Sequence, residues 1–298
     1  MSSVSAWWRS LRAYSFPASI MPVLLSLVLA VQREAGIQWW ALALFLVSAV
    51  LFHAATNVLN DYYDFRYGVD VAGDPDPTHA ITQGIVSPRF MLISGHVYFV
   101  LALLLGIMIA RYRGTAFLVT GLAGAGGAYF YTNARFSLKY RALGDVTVFL
   151  LMGPAMVFLG YWAITGTVQL ATAPAALPLA CMVTLILHGN NLRDIEADSS
   201  AGVDTVARRL GFARSRTAFV GLLILAYLVV AALALAAVVP WATLAVVFSV
   251  PPAFRLALRV QRANSGDELI DLPLRSAQLH MLFSLLYLAG TVAPRVVP

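Results

Sequence analysis

Long apolar stretches separated by short polar ones run the whole length of the chain. Stretches near the length that crosses a bilayer as a helix, about 20 residues, fall at 16–31, 39–58, 91–110, 116–131, 146–164, 175–190, 218–239, 241–258 and 278–293. The pattern predicts nine spans, all of them helices. The stretches at 16–31 and 175–190 are short, and Pro240 alone separates the seventh from the eighth, which leaves eight or ten open.

Composition confirms the class. With 60% of its 298 residues hydrophobic and 11% charged, and a mean hydropathy of +0.79, the chain cannot clothe a soluble domain in hydrated surface. A single membrane-embedded domain over residues 1–298 follows, all-α throughout. The opening MSSVSAWWRSLRAYSFPAS has the basic flank of a signal peptide, but eight further spans and the lack of a cleavage site make it a retained anchor. The single cysteine, Cys181, lies inside the sixth span, excludes an intrachain disulfide framework and reads as a packing residue.

Charge sets the orientation. With nine spans, the N-terminus and the even-to-odd loops share a face that holds sixteen of the 20 basic residues, leaving Arg33, Arg111, Arg113 and Arg295 on the other. The positive-inside rule makes the crowded face cytoplasmic, as in a bacterial cytoplasmic membrane. Basic loops beside anionic lipid account for the net charge of +6 without a nucleic-acid partner. Acidic residues contribute little to topology, yet thirteen of the 14 lie on that same face, Glu34 being the exception. Asp61, Asp64, Asp70, Asp74 and Asp76 follow the second span, and Asp194, Glu196, Asp198 and Asp204 follow the sixth.

In NVLNDYYDFRYGVD, Asn57, Asp61 and Asp64 are spaced i, i+4, i+7, and in NNLRDIEADSSAG, Asn191, Asp194 and Asp198 are spaced i, i+3, i+7. Each trio shares one helix face. Carboxylates so placed repel one another and are costly near lipid, and a hard divalent cation relieves both penalties. Magnesium fits an oxygen-only set completed by water and phosphate oxygens; the absence of Cys ligands argues against zinc. His53 and His188 each precede a motif by about one turn and are either supporting partners of the site or hydrogen-bonded core histidines. Two solvated helix ends are the plain alternative, and the matched pairing weighs against it. A secondary transporter is the other class to consider, but its acids sit near the midplane in broken helices, not at one face. A non-catalytic scaffold has no use for matched Asn-Asp-Asp faces.

These two stretches resemble the first and second aspartate-rich motifs of the UbiA superfamily of intramembrane prenyltransferases. LRAYSFPASIMPV is similar to that family's first helix, FSLKYRALGDV to its basic loop between helices four and five, and LPLRSAQLH to the start of its last helix. YYDFRYGVD, ALGDV with Gly153-Pro154 after it, and ILHGNNLRDIEAD most resemble the branch that prenylates 1,4-dihydroxy-2-naphthoate for menaquinone. Asp61 and Asp64 stand three apart where the family often has four, and Ala13 replaces a common proline.

The resemblance implies nine transmembrane helices around a central cavity with a cytoplasmic cap, from loops near 59–90 and 191–216. It implies two magnesium ions held by Asp61, Asp64, Asp194 and Asp198 with Asn57 and Asn191, clamping a polyprenyl diphosphate. Arg12, Lys139, Arg193 and Arg141 would add donors to that diphosphate. Lys139 is the chain's only lysine, where a compact point charge differs from the guanidinium fork used elsewhere. The allylic cation would meet an aromatic quinone precursor, dihydroxynaphthoate with decarboxylation, or else 4-hydroxybenzoate, homogentisate, a chlorophyll precursor or a glycerol phosphate. Tyr62, Tyr63, Tyr129, Tyr131 and Tyr140 are candidates to face the cation, or ordinary interfacial tyrosines. GLAGAGGAY in the fourth span lacks the dinucleotide-binding register and reads as close helix packing.

Overall fold

The computed structural model describes residues 10–70, 80–133 and 137–293. All nine apolar stretches are helical: α1 Pro17–Gln32, α2 Trp39–Arg66, α3 Pro88–Arg113, α4 Thr115–Thr132, α5 Gly144–Thr165, α6 Leu177–Arg193, then the short α7 Ile195–Ser200 and α8 Val206–Leu210, then α9 Phe212–Leu235, α10 Val250–Arg262 and α11 Leu272–Val292. Tight 3-10 turns, Leu170–Ala176 and Trp241–Ser249, lengthen α6 and α10 at their starts. Among the described residues there is no strand, only an isolated bridge between Arg141 and Asp204.

Among the described residues, seven helices are long and apolar enough to cross a membrane. The other two, α4 and α11, have 18 and 21 residues but are diluted by glycine and by Ser276, His280 and Ser284. Local chemistry sets the boundaries. Pro17 and Pro88 open α1 and α3, where no amide donor is needed, and Ser87 caps α3 by accepting the Phe90 amide at 3.2 Å. Gly114 and Gly166, at φ +88° and +77°, end α3 and α5. The apolar stretch at 39–58 ends two turns before its helix does; α2 continues to Arg66 and lifts the first motif clear on a rigid rod.

The bundle is organised about α6, 67% of whose most apolar window is buried, against 17% for the peripheral α3. Leu25 of α1, Met182 and Leu185 of α6, Phe219 of α9, and Phe283 and Tyr287 of α11 form the fully buried centre, with the Tyr287 hydroxyl donating to the Ala175 carbonyl at 2.9 Å. Close helix approach occurs at Gly290, where a Cβ would stand 2.4 Å from the Ala242 carbonyl oxygen. Along GLAGAGGAY, where close packing is expected, it occurs at one glycine of four. A Cβ at Gly121, Gly124 or Gly126 meets nothing within 4 Å, and only Gly127 comes against a neighbour, the Leu151 side chain. In the middle of α5 the helix widens to a π turn over Leu151–Ala155, at Pro154, whose missing amide breaks the regular ladder.

Candidate active site

Helices α1 to α6 enclose a cavity of about 310 Å³. One end lies where α2 and α6 finish and is lined by Asn60, Asp64, Lys139, Asn191, Asp194 and Asp198; the other is apolar, lined by Phe45, Phe117 and Leu159. Both aspartate motifs reach this space, the first through Asn57 and Asp64 and the second through Asn191, Asp194 and Asp198.

Asp64 is the hub of the first motif. Its Oδ2 accepts from Lys139 Nζ at 2.8 Å and Asn60 Nδ2 at 2.6 Å, and its Oδ1 accepts from the Tyr140 hydroxyl. Lys139 Nζ also donates to Asn60 Oδ1 at 3.2 Å. Burial disfavours the Lys139 ammonium, but the Asp64 carboxylate against it wins and holds its pKa well above the ordinary lysine value. Burial, reinforced by Asp64, keeps the Tyr140 phenol protonated far above its usual range.

Asn57 and Asp61 act differently from Asp64. Asp61 is not among the residues lining the cavity; its Oδ1 accepts from Arg12 Nη2 at 2.8 Å. Asn57 touches the cavity, and its amide donates to the Leu11 carbonyl at 2.9 Å. One turn earlier, His53 sits between the Ser15 and Ser19 hydroxyls at 3.1 and 2.8 Å. The Ser15 hydroxyl donates its only proton to the Arg12 carbonyl at 2.7 Å, so His53 Nε2 carries the hydrogen toward Ser15 and Nδ1 accepts from Ser19. The stripe His53, Asn57, Asp61, at i, i+4, i+8, thus grips residues 11–15, with Arg12 in the left-handed region at φ +52°.

The second motif rests on α5. Asp145, in the first turn of that helix, accepts from Asn191 Nδ2 at 3.2 Å and pairs with His188 Nδ1 at 2.8 Å. His188 Nε2 lies 2.9 Å from the Ser215 hydroxyl. Arg193 forms a two-pronged contact to its neighbour Asp194 at 2.6 and 2.8 Å. Asp198 is buried and accepts from Thr205 at 3.3 Å. Burial pushes its carboxyl up to about 7; Lys139 opposes that, and the Asp194 and Asp64 carboxylates add to it.

Arg141 is exposed on the Asp204 bridge, away from the cavity. Of the five candidate tyrosines, Tyr131 lines the cavity, as does Tyr14; Tyr62, Tyr63, Tyr129 and Tyr140 are not among the lining residues. In the expected cap, Gly68 turns the chain at φ +72° so that Asp70 lines the cavity. Ala80, Ile81 and Val86 pack on Leu11, Val58 and Met91; Asp74 and Asp76 lie outside the described residues.

Sequence reasoning missed Asn60 and Asp145, and offered Tyr140 as a ring facing the cation where its hydroxyl instead donates to Asp64. The signals were present: Asn60 and Asp64 stand at i, i+4, and Asp145 opens a helix in ALGDV. Among the described residues no three His, Cys, Asp or Glu side chains converge on one point fit for a metal. Lys139, Arg12 and Arg193 instead neutralise the carboxylates. The donor set remains hard oxygen, carboxylate and amide, which fits magnesium in kind.

Residues 19–276 match the model of the UbiA prenyltransferase family. The chain belongs to the UbiA prenyltransferase family. This UbiA-family enzyme is a prenyltransferase. It is 32% identical over 303 residues to the 1,4-dihydroxy-2-naphthoate octaprenyltransferase of Mycobacterium tuberculosis, covering 98% of each chain. It is 32% identical over 288 residues to human UbiA prenyltransferase domain-containing protein 1, covering 95% of this chain and 82% of that one. A UbiA homologue from Archaeoglobus fulgidus, solved bound to geranyl diphosphate (GPP) and Mg2+, superposes with a TM-score of 0.64 at 17% identity, covering 95% and 99% of the two chains, which shows the shared fold.

Proposed function

We propose that this UbiA-family enzyme transfers a polyprenyl group from its diphosphate to 1,4-dihydroxy-2-naphthoate, with loss of carbon dioxide, in menaquinone formation. The observation that carries the reading is the cavity, which joins an end of carboxylates, amides and cations to an apolar end. That is the shape of an anionic head on a hydrocarbon tail. The naphthoate acceptor is supported by the Mycobacterium tuberculosis relative and by the motif wording of its branch. All nine helices cross the membrane in this reading, with the N-terminus and the polar end on the basic, cytoplasmic side.

In the reaction the allylic C–O bond breaks and its electrons leave with the diphosphate. The carboxylated ring carbon bonds to the allylic carbon, and carbon dioxide departs as aromaticity returns. Asp64, Asp194 and Asp198, with the amide oxygens of Asn60 and Asn191, are the groups to hold magnesium. Bound there, magnesium supplies positive charge to the developing diphosphate. Lys139 and Arg193 place their donors at this same end of the cavity, where they would bind the phosphate oxygens. Asn57 and Asp61 serve indirectly by holding Arg12 at the rim. Tyr131 offers a ring face to the cation inside the cavity.

The test pairs one polyprenyl diphosphate with equimolar dihydroxynaphthoate and 4-hydroxybenzoate. The naphthoate product is expected to dominate; prenylated hydroxybenzoate as the main product would overturn the acceptor assignment while leaving prenyl transfer intact.

A further inference from the structure

At its C-terminal end α10 carries a second recess, of about 430 Å³, lined by Arg255, Leu258, Arg259, Arg262, Ala263 and Glu268. None of these residues lines the central cavity. Arg255, Arg259 and Arg262 stand at i, i+4, i+7 and so share one helix face, while Ala253, Leu256 and Val260 are buried on the opposite face.

The three arginines differ in what they hold. Arg259 Nη2 pairs with Asp271 at 2.6 Å and donates to the Glu268 carbonyl at 3.1 Å, tying the 266–269 turn to α10. Asp271 is also taken by Arg275 at 2.6 Å. Arg255 and Arg262 are exposed and, among the described residues, meet no carboxylate, whereas Lys139, Arg193 and Arg209 each pair with an aspartate. Glu268 supplies the one carboxylate among the lining residues, so two guanidinium forks face the recess with positive charge in excess.

Beside the arginines runs an apolar stripe. Val250, Phe254 and Leu258, at i, i+4, i+8, are 41%, 60% and 37% exposed, and one further turn brings the stripe to Arg262. None of the three lines the central cavity, so their exposure is on the outer surface of the bundle. From Arg262 to Val250 is twelve residues, roughly 18 Å at the helical rise, close to the roughly 15 Å of hydrocarbon in one bilayer leaflet. The positive-inside rule accounts for cations in loops, but Arg255 lies within the helix, seven residues or roughly 10 Å before its end. There, beside exposed Phe254, an unpaired guanidinium is costly next to lipid.

We infer that this recess binds an anionic glycerophospholipid, its phosphate held by the Arg255 and Arg262 guanidiniums and one acyl chain lying along Leu258, Phe254 and Val250. A guanidinium gives a phosphate two parallel N–H bonds and stays charged at every working pH. A zwitterionic lipid brings an ammonium of its own to the arginines and loses that advantage. The inference needs α10 to cross the membrane and is independent of which acceptor the enzyme prenylates.

The experiment melts the full chain in neutral detergent with phosphatidylglycerol, phosphatidylcholine or inorganic phosphate, for wild type, Arg255→Gln/Arg262→Gln and Arg89→Gln. Arg89, exposed at the start of α3, loses the same charge away from the recess. A ligand that binds only the folded state raises the melting midpoint with its concentration. Phosphatidylglycerol is expected to raise the wild-type midpoint at mole fractions where phosphatidylcholine does not. The mole fraction for half the rise is expected to increase at least tenfold in the double variant and to stay within twofold of wild type in Arg89→Gln. An equal rise with phosphatidylcholine, or an unchanged response in the double variant, would overturn the inference. So would an equal loss in Arg89→Gln, which would make the effect one of general surface charge, and a rise with inorganic phosphate matching that with the lipid, which would remove the lipid as the occupant. Neither arginine leaves a carboxylate unpaired when replaced, so the glutamine pair is expected to fold; if it does not, the two single variants, each expected to need about threefold more lipid, decide the question.

Discussion

Replacing Lys139 with Met removes the cation from a pair whose side chains are only 13% and 6% exposed. Taking one partner from a buried pair costs about 3–5 kcal/mol, because the other charge is left in a medium that solvates it poorly. Asp64 keeps two donors after the change, Asn60 Nδ2 and the Tyr140 hydroxyl, and hydrogen bonds to a charged group contribute about 1.5–3 kcal/mol each. The expected loss for Lys139→Met is therefore at the low end, roughly 3 kcal/mol. For a chain of this size that lowers the unfolding midpoint in detergent by roughly 5 °C. Asp64→Asn in the same background removes the stranded charge and restores most of the loss, since deleting both members of a buried pair is often near neutral. A double-mutant cycle read by thermal melting should thus give a coupling of roughly 2 kcal/mol. Additivity within about 0.5 kcal/mol would refute the claim that Lys139 serves as the counter-charge of Asp64 in the metal-free protein.

Asp145→Ala leaves His188 Nδ1 and Asn191 Nδ2 without their acceptor and should cost roughly 10–100-fold in activity or metal affinity, seen as a higher magnesium concentration for half-maximal turnover; a pure loss of stability with unchanged magnesium dependence would exclude the positioning role. Gly290→Ala drives a methyl into the Ala242 and Thr243 backbone, which cannot rotate away, and should destabilise by about 1–3 kcal/mol or more, measured as a lowered melting midpoint. Arg12→Ala should loosen the 11–15 segment, because that segment then loses the bond to Asp61 that ties it to α2; faster hydrogen exchange confined to that segment and the 80–86 stretch packed on Leu11 is the expected pattern, and unchanged exchange there would contradict it.

The helices were legible because lipid tolerates few alternatives: an apolar stretch of spanning length must satisfy its own backbone, and a helix does so. The two motifs were legible because 3.6-residue periodicity sorts their acids onto one face each. Counting the first motif from Asn57, however, gathered Asp61 with Asp64, whereas the cavity takes Asn60 and Asp64 and leaves Asp61 to Arg12. A helix only slightly turned about its axis exchanges one set for the other, and nothing in a single strand of sequence fixes that angle. The basic residues posed a second difficulty, since Arg12, Lys139 and Arg141 look alike under the positive-inside rule; only tertiary contacts separate two buried partners of Asp from an exposed arginine. Asp145 comes to Asn191 from 46 residues away, a pairing that local spacing does not encode. The glycines of α4 show the same limit: a missing side chain permits close contact and open space equally, and here Gly127 takes the first and Gly121 the second.

Purified protein incubated with a polyprenyl diphosphate and dihydroxynaphthoate, with magnesium or with excess chelator, tests the central claim most directly, alongside Asp64→Ala and Asp198→Ala. Prenylated product and free diphosphate in equal amounts with magnesium, lost in chelator and reduced at least 100-fold in both variants, is the predicted result. Full turnover in chelator, or in either variant, would contradict the account of two aspartate motifs acting together on a diphosphate.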